Sequence, residues 1–255
     1  VFDADALTDL PGPSWNVAPT NAIALVREFA PKAPGAAPTN PAGPANPTAR
    51  AAGPAPAGPA PAAEDRRRRQ IRAARWGLVP SWADDLSIGA RLINARSETI
   101  TVKPSFRAAA RWRRALIPAA GYYEWQAGGQ GPKTPFYLHP QDDGVIAMAA
   151  LYEWWRPGRG GSDLASDPSA RPEPLLSATV VTRAATDSLG AIHDRMPLVV
   201  PPELWEAWLS AEVNTAAAVA ALVEAVPDPV LVPREVGRAV GSVRNNGPGL
   251  IAPVR

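Results

Sequence analysis

Leu176-Ser177-Ala178-Thr179-Val180-Val181-Thr182 decides the fold class of this chain. The run is apolar and rich in β-branched residues, and its seven positions are too few for a typical helix, so it reads as a strand. Working outward, further strands are predicted at Ala22-Glu28, Ile71-Trp76, Ala115-Ala119, Pro135-Leu138 and Val145-Leu151, with a late one near Pro229-Val232. Helices are predicted at Ser105-Arg113, at Asp187-Ile192, from Pro202 to Leu209 with proline at its start, and from Thr215 to Val223. Strands dominate and no βαβ alternation is present. The expected fold is therefore α+β, an antiparallel β-barrel-like core with peripheral helices, rather than a doubly wound sheet.

Two stretches break this pattern. Ala30 to Ala63 holds 24 Ala or Pro among 34 residues, cannot bury enough surface to offset its ordering entropy, and is expected to be an extended insertion. A second stretch, Arg156 to Pro174, is rich in Gly, Ser, Asp and Pro and reads as a flexible loop. Neither separates two motif-bearing halves, so the 255 residues are expected to form one domain.

Composition narrows the function. There is no cysteine, which removes disulfides and cysteine-rich zinc sites; with only two histidines, His139 and His193, far apart, no metal and no cofactor are expected. No run of eighteen apolar residues and no signal-like start are present, so neither a membrane nor an export route is expected and a cytoplasmic monomer is. The net charge of +2 conceals an asymmetry. Thirteen Lys/Arg face only Asp84, Asp85 and Glu98 between Arg66 and Arg114, whereas Pro201 to Val230 has five acids and no base. One anion-facing side follows, with a phosphate backbone as its natural partner; Arg66-Arg67-Arg68-Arg69, beside the Ala/Pro tract, reads equally well as a solvated loop.

Four blocks collect the chemistry: Trp76-Gly77-Leu78-Val79-Pro80-Ser81-Trp82, Asn94-Ala95-Arg96-Ser97-Glu98, Gly121-Tyr122-Tyr123-Glu124-Trp125 and His193-Asp194-Arg195-Met196-Pro197. Asn94, after Leu92-Ile93, falls at a strand end or turn, where a carboxamide can donate and accept at once. Glu124 lies among rings, a setting that raises a carboxyl pKa and suits it to proton transfer near neutrality, although an alternating strand with Glu124 facing water fits equally well. His193 follows a helix-like segment and precedes polar partners able to fix its tautomer; His139 reads as a hairpin-turn residue. Arg96 and Arg195 carry guanidinium forks that match phosphate. Trp76 and Trp82 bracket a proline-containing loop and could stack on bases, and Thr182 could form a polar wall. Glu98 reads as an ion-pair partner of Arg96 or Arg107; paired with Glu124 it would suggest a glycosidase-like reading, for which the spacing carries no support.

In this order, and together with Trp15-Asn16-Val17-Ala18-Pro19 and Val243-Arg244-Asn245-Asn246-Gly247-Pro248, the blocks resemble the SRAP family, the SOS-response-associated peptidase domains. The resemblance covers nearly the whole chain. It implies a compact β-rich barrel, single-stranded DNA containing abasic sites as partner, and a covalent crosslink to the abasic sugar. It further implies that Asn94, Glu124 and His193 form the active site, with Glu124 shuttling the proton that opens the deoxyribose ring and His193 acting on the imine. Arg96, Arg195, Trp76, Trp82 and Thr182 are then the DNA-contacting set.

One departure qualifies the match. The family nucleophile is a cysteine after the initiator methionine, in a Met-Cys-Gly-Arg start, and this chain begins Val1-Phe2-Asp3-Ala4. That beginning reads like family sequence picked up after the start. An N-terminal cysteine joins an α-amine of pKa about 7.7 to 8.0 to a thiol on one carbon frame, so the amine can form an imine and the thiol can close it to a thiazolidine. The same residue accounts for the autoproteolytic loss of methionine behind the family's name. Without it, the alternative is a single-stranded DNA binder that has lost its nucleophile.

Overall fold

The computed structural model describes residues 1–29, 68–128, 131–157 and 173–254, so the Ala/Pro-rich tract and most of the predicted loop at 156–174 lie outside the described residues. Its strands are β1 (Ala4–Ala6), β2 (Ala22–Phe29), β3 (Arg68–Trp76), β4 (Asn94–Arg96), β5 (Arg114–Ala119), β6 (Tyr122–Gln126), β7 (Thr134–Pro140), β8 (Ile146–Trp155), β9 (Leu175–Ala184), β10 (Arg195–Pro197) and β11 (Leu231–Glu235). The helices are α1 (Arg107–Trp112), α2 (Asp187–Gly190), α3 (Trp205–Leu209) and α4 (Ala216–Ala225). Every predicted strand forms, most of them longer than predicted. β1, β4 and β10 have three residues each, too few for a period-two pattern to be visible.

The helix predictions need trimming. The segment from Pro202 divides into a 3-10 turn, Pro202–Leu204, and α3, because proline opens the turn and only the following residues continue as α-helix. The segment predicted to reach Ile192 stops at Gly190, where the chain turns toward β10. α4 starts where predicted, with Thr215 as N-cap: its Oγ1 accepts from the Ala218 N–H at 3.1 Å.

Pairing closes the main sheet on itself. β3, β2, β5, β8 and β9 follow one another, and β9 returns to β3 through Ser177 opposite Arg75 and Ala178 opposite Trp76. The result is the barrel-like α+β architecture expected, with one correction to its antiparallel character. The ladders β1–β3, β3–β9 and β4–β9 are parallel, since the long connections between these strands bring the chain back to the same end.

Alternation along the strands separates two apolar layers. Ile23, Leu25, Ile117, Met148, Ala150 and Val180 belong to one, while Val26, Leu116, Ala149, Leu151 and Val181 belong to the other together with Phe106, Trp205, Trp208 and Val219 of the helical segments. Helices cannot fit inside a five-stranded ring, so the second layer is the outer one and the first lines the barrel. A three-stranded sheet, β11-β7-β6, adds Leu138 and Leu231 to the lining layer. Its opposite side, with Tyr137, packs on Val236, Val240 and Leu250 of the C-terminal segment.

The buried Arg114 ties the helices to the barrel wall. Its Nε donates to the Trp208 carbonyl at 2.6 Å, Nη1 to those of Ala110 and Arg111 at 2.7 and 3.0 Å, and Nη2 to that of Ser210. These carbonyls lie at the ends of α1 and α3, where no further turn of helix can satisfy them. Burial draws the guanidinium pKa down to about 10, which still leaves it charged at neutral pH. Arg114→Leu, by stranding these acceptors, is expected to lower stability by about 3 to 5 kcal/mol. The check is a fall in the urea midpoint with an unchanged slope.

Candidate active site

Both edges of β9 converge on one place. Val180 has Ala150 of β8 on one edge and Asn94 of β4 on the other; two residues on, Thr182 has Pro197 of β10 and Arg96 of β4. The two short strands that sequence periodicity misses are therefore the ones that carry Asn94, Arg96 and Arg195 to opposite sides of Thr182. Asn94 and Arg96 are exposed, and among the described residues neither side chain has a hydrogen-bond partner. Thr182 itself is buried, and its carbonyl rather than its hydroxyl makes the closest contact, accepting from Arg195 Nη2 at 2.7 Å.

Glu98 is not the partner of Arg96 or Arg107. Its carboxylate lies in the fork of Arg195, with Nη1 to Oε1 at 2.6 Å and Nη2 to Oε2 at 3.0 Å. Those hydrogen bonds hold the Glu98 carboxyl below the usual carboxylate range against the opposing effect of partial burial, and the nearby Arg96 charge adds to them. The pairing also removes Glu98 from any two-carboxylate arrangement with Glu124. Sequence spacing could not find it, because 97 residues separate the partners.

His193 and Glu124 meet across the same region. Glu124 is on β6, half-buried, with Oε1 accepting the Trp125 N–H at 3.1 Å and lying 3.9 Å from His193 Nε2. His193 Nδ1 accepts the Arg195 backbone N–H at 3.0 Å, which in the neutral ring puts the proton on Nε2, toward Glu124. Asp194 Oδ1 at 3.1 Å and the Arg195 carbonyl at 3.3 Å face the same Nδ1 and favour the other tautomer, so the neighbours of the ring accommodate both. In the imidazolium form each ring nitrogen faces a carboxylate.

The remaining predicted residues separate. Trp82 is 58% exposed, just beyond Pro80. Trp76 is half-buried against the barrel lining and donates its Nε1–H to the Ile93 carbonyl at 3.0 Å, so its indole belongs to the wall behind Asn94 and does not project as a wedge. Between them Gly77 turns the chain at φ +123°, where a Cβ would stand 2.5 Å from the Gly89 carbonyl oxygen. His139 is no open turn residue: it is buried at the end of β7, stacked on Tyr137, with Nδ1 3.0 Å from Asp143.

Sequence reasoning missed the part played by two asparagines. Asn16 Nδ2 faces the carbonyls of Val240, Ser242 and Asn245 at 3.0 to 3.1 Å, and Asn246 Oδ1 accepts the Trp15 N–H at 2.8 Å. Tyr123 adds a bond from its hydroxyl to the Trp15 carbonyl at 2.7 Å, and burial lifts that phenol's pKa to about 12. This latch draws the strap at 11–19 over the barrel mouth. Beneath it lies a largely apolar cavity of about 750 Å³, walled by Trp15, Trp76, Ile117, Tyr122, Trp125 and Met148 among others. Asn94, Glu124 and His193 do not line the cavity, which backs onto the site through β6 and Val180.

The SOS response associated peptidase (SRAP) family matches residues 2–243. The chain belongs to this family. It is 33% identical over 177 residues to abasic site processing protein YoqW of Bacillus subtilis, covering 69% of this chain and 74% of that one. It is 35% identical over 180 residues to YedK of Escherichia coli, covering 70% and 73%. Against HMCES of Gallus gallus the identity is 31%, over 74% of this chain and 59% of the relative. A protein of Bordetella bronchiseptica of known structure shares the SRAP fold of this chain at TM-score 0.61 and 21% identity, over 92% of both chains. Among the described residues no helix is long and apolar enough to cross a membrane.

Because Asn16 closes the latch, Asn16→Ala is expected to cost about 1 to 3 kcal/mol by leaving carbonyls unpaired. Hydrogen exchange should quicken at 238–246 while β8 and β9 keep their protection.

Proposed function

We propose that this SRAP chain binds single-stranded DNA and processes abasic sites in it. The observation that carries the reading is the meeting of Glu124 with His193 at 3.9 Å beside the exposed Asn94 and Arg96. Asn94 orients the sugar hydroxyl or ring oxygen, Glu124 takes up the proton as the deoxyribose opens to its aldehyde, and Arg96 and Arg195 hold the flanking phosphates. Trp82 stacks on a base at the interruption. Names of the relatives YoqW, YedK and HMCES, all abasic site processing proteins, support the substrate class.

Crosslinking follows if an aminothiol is presented to this site. Amine and aldehyde condense to an imine with loss of water, His193 donating the proton that lets hydroxide leave as water; the thiol then adds across the C=N bond, its proton passing to nitrogen, to close a thiazolidine. The same N-terminal cysteine would carry the removal of the initiator methionine for which the family is named. These 255 residues contain no cysteine, which favours a second reading for the chain as it stands: a reversible binder of single-stranded DNA.

Geometry sets the length of any added cysteine. β1 runs parallel to β3 with Ala4 opposite Arg69, seven residues along β3 from Trp76, which pairs beside the Asn94 ladder. That span is roughly 23 Å at 3.3 Å per residue, so a flexible linker is the way to bring an added cysteine to the site.

Two measurements test the proposal. Arg96→Ala should weaken single-stranded DNA binding regardless of sequence and lower the salt slope by about one unit; unchanged affinity and slope in a folded variant would remove Arg96 from the interface. On a denaturing gel with abasic single-stranded DNA, the 255-residue chain should give no heat-stable adduct. The same chain led by Cys-Gly-Arg on a Gly/Ser linker of about a dozen residues should give one, more slowly as Glu124→Gln. A stable adduct from the cysteine-free chain sinks the mechanism, and none from the extended chain leaves the binder.

A further inference from the structure

The ion pair between Glu98 and Arg195 is the best-formed polar contact at the site, and the proposed chemistry has no use for it. Carboxylate and phosphate ask the same of a guanidinium, two oxygens in line with two N–H groups. Here the Nη1/Nη2 fork is filled end-on by Glu98. The remaining donor face gives no alternative seat: Arg195 Nε is buried and without a partner among the described residues. Any phosphate gripped bidentately by Arg195 must therefore take the place that Glu98 holds.

The two partners are unequally fixed. Arg195 is on β10, between β9 and the buried Met196, is only 19% exposed, and keeps a bond to the Thr182 carbonyl that does not involve Glu98. Glu98 is 51% exposed, on the three-residue 3-10 turn Ser97–Thr99, and beyond its own backbone N–H its carboxylate is hydrogen-bonded only to Arg195 among the described residues. When an anion arrives, the carboxylate is the group that can swing out.

We infer that Glu98 is a built-in competitor for DNA phosphate, seated in the Arg195 fork of the DNA-free protein and displaced when a strand binds. This rests on the reading of Arg195 as a phosphate contact. The consequence is selective in a way that equilibrium affinity alone is not. Displacing Glu98 weakens reversible binding to every strand, so undamaged single strands are released. A covalent product with an abasic sugar no longer depends on that equilibrium. Glu98 thus sets how readily the site scans without lowering the final yield of capture.

The test uses fluorescence anisotropy with a labelled oligothymidylate single strand. Glu98→Gln, isosteric and partly exposed, should bind about three- to tenfold more tightly than the parent. The double-mutant cycle supplies the discriminating arm: in an Arg195→Ala background the gain from Glu98→Gln should vanish. Tighter binding that persists without Arg195 means general repulsion between Glu98 and DNA and overturns the inference. Unchanged or weaker binding by Glu98→Gln overturns it too, the latter showing that Glu98 positions the arginine for DNA. Should the Gln variant melt early, Glu98→Asp, too short to fill the fork, replaces it and should show a smaller gain in the same direction. A parent protein that does not bind the oligonucleotide, or an Arg195→Ala protein that binds as well as the parent, defeats the underlying reading of the groove instead.

Discussion

A buried strand must satisfy its backbone groups on both edges, and β9 does so with four partners. β8 and then β10 follow one edge, and β3 and then β4 the other. The pairing with β3 closes the barrel, and the pairings one step further along bring in the residues of the site. Fold and site are thus consecutive stretches of a single ladder. Ser177 shows how tightly the first stretch is held: its buried hydroxyl accepts the Val79 N–H at 2.8 Å, fixing the chain just after the Gly77 turn. A slip of one residue in β9 would exchange lining and outer layers and separate Asn94 from Arg195 at once.

β6 carries both a charged residue of the candidate site and walls of the apolar cavity. Glu124 turns toward His193, and the neighbouring Tyr123 and Trp125 pack with the C-terminal segment and wall the cavity under the strap. The polar side is arranged as opposed pairs, Glu124 with His193 and Glu98 with Arg195, and Arg96, near Glu98, has no salt bridge or hydrogen bond of its own among the described residues. His193 lies between Glu124, 3.9 Å from Nε2, and Asp194, 3.1 Å from Nδ1.

Two motif blocks that carry no reactive group have a mechanical role. Trp15-Asn16-Val17-Ala18-Pro19 and Val243-Arg244-Asn245-Asn246 lie at opposite ends of the chain, and their asparagines bind each other's backbone. An asparagine side chain can stand in for a peptide group, so one residue in each segment replaces the missing sheet pairing of the strap. The β6 strand that carries Glu124 is held by the same latch through the Tyr123 hydroxyl.

By itself the sequence determined the strand-rich α+β class, the seven longer predicted strands and the helix that follows Thr215, because apolar periodicity and side-chain chemistry are local properties written residue by residue. It also determined that no cysteine is available within these residues. Only the tertiary structure decided that Glu98 belongs to Arg195, that Trp76 is a wall and Trp82 is open, that Asn16 is a latch, and that β4 and β10 exist. Each of these depends on partners far apart along the chain or on strands too short to carry a period, and what unites them is the register of β9 with its four neighbours, a long-range hydrogen-bonding choice that no local pattern encodes.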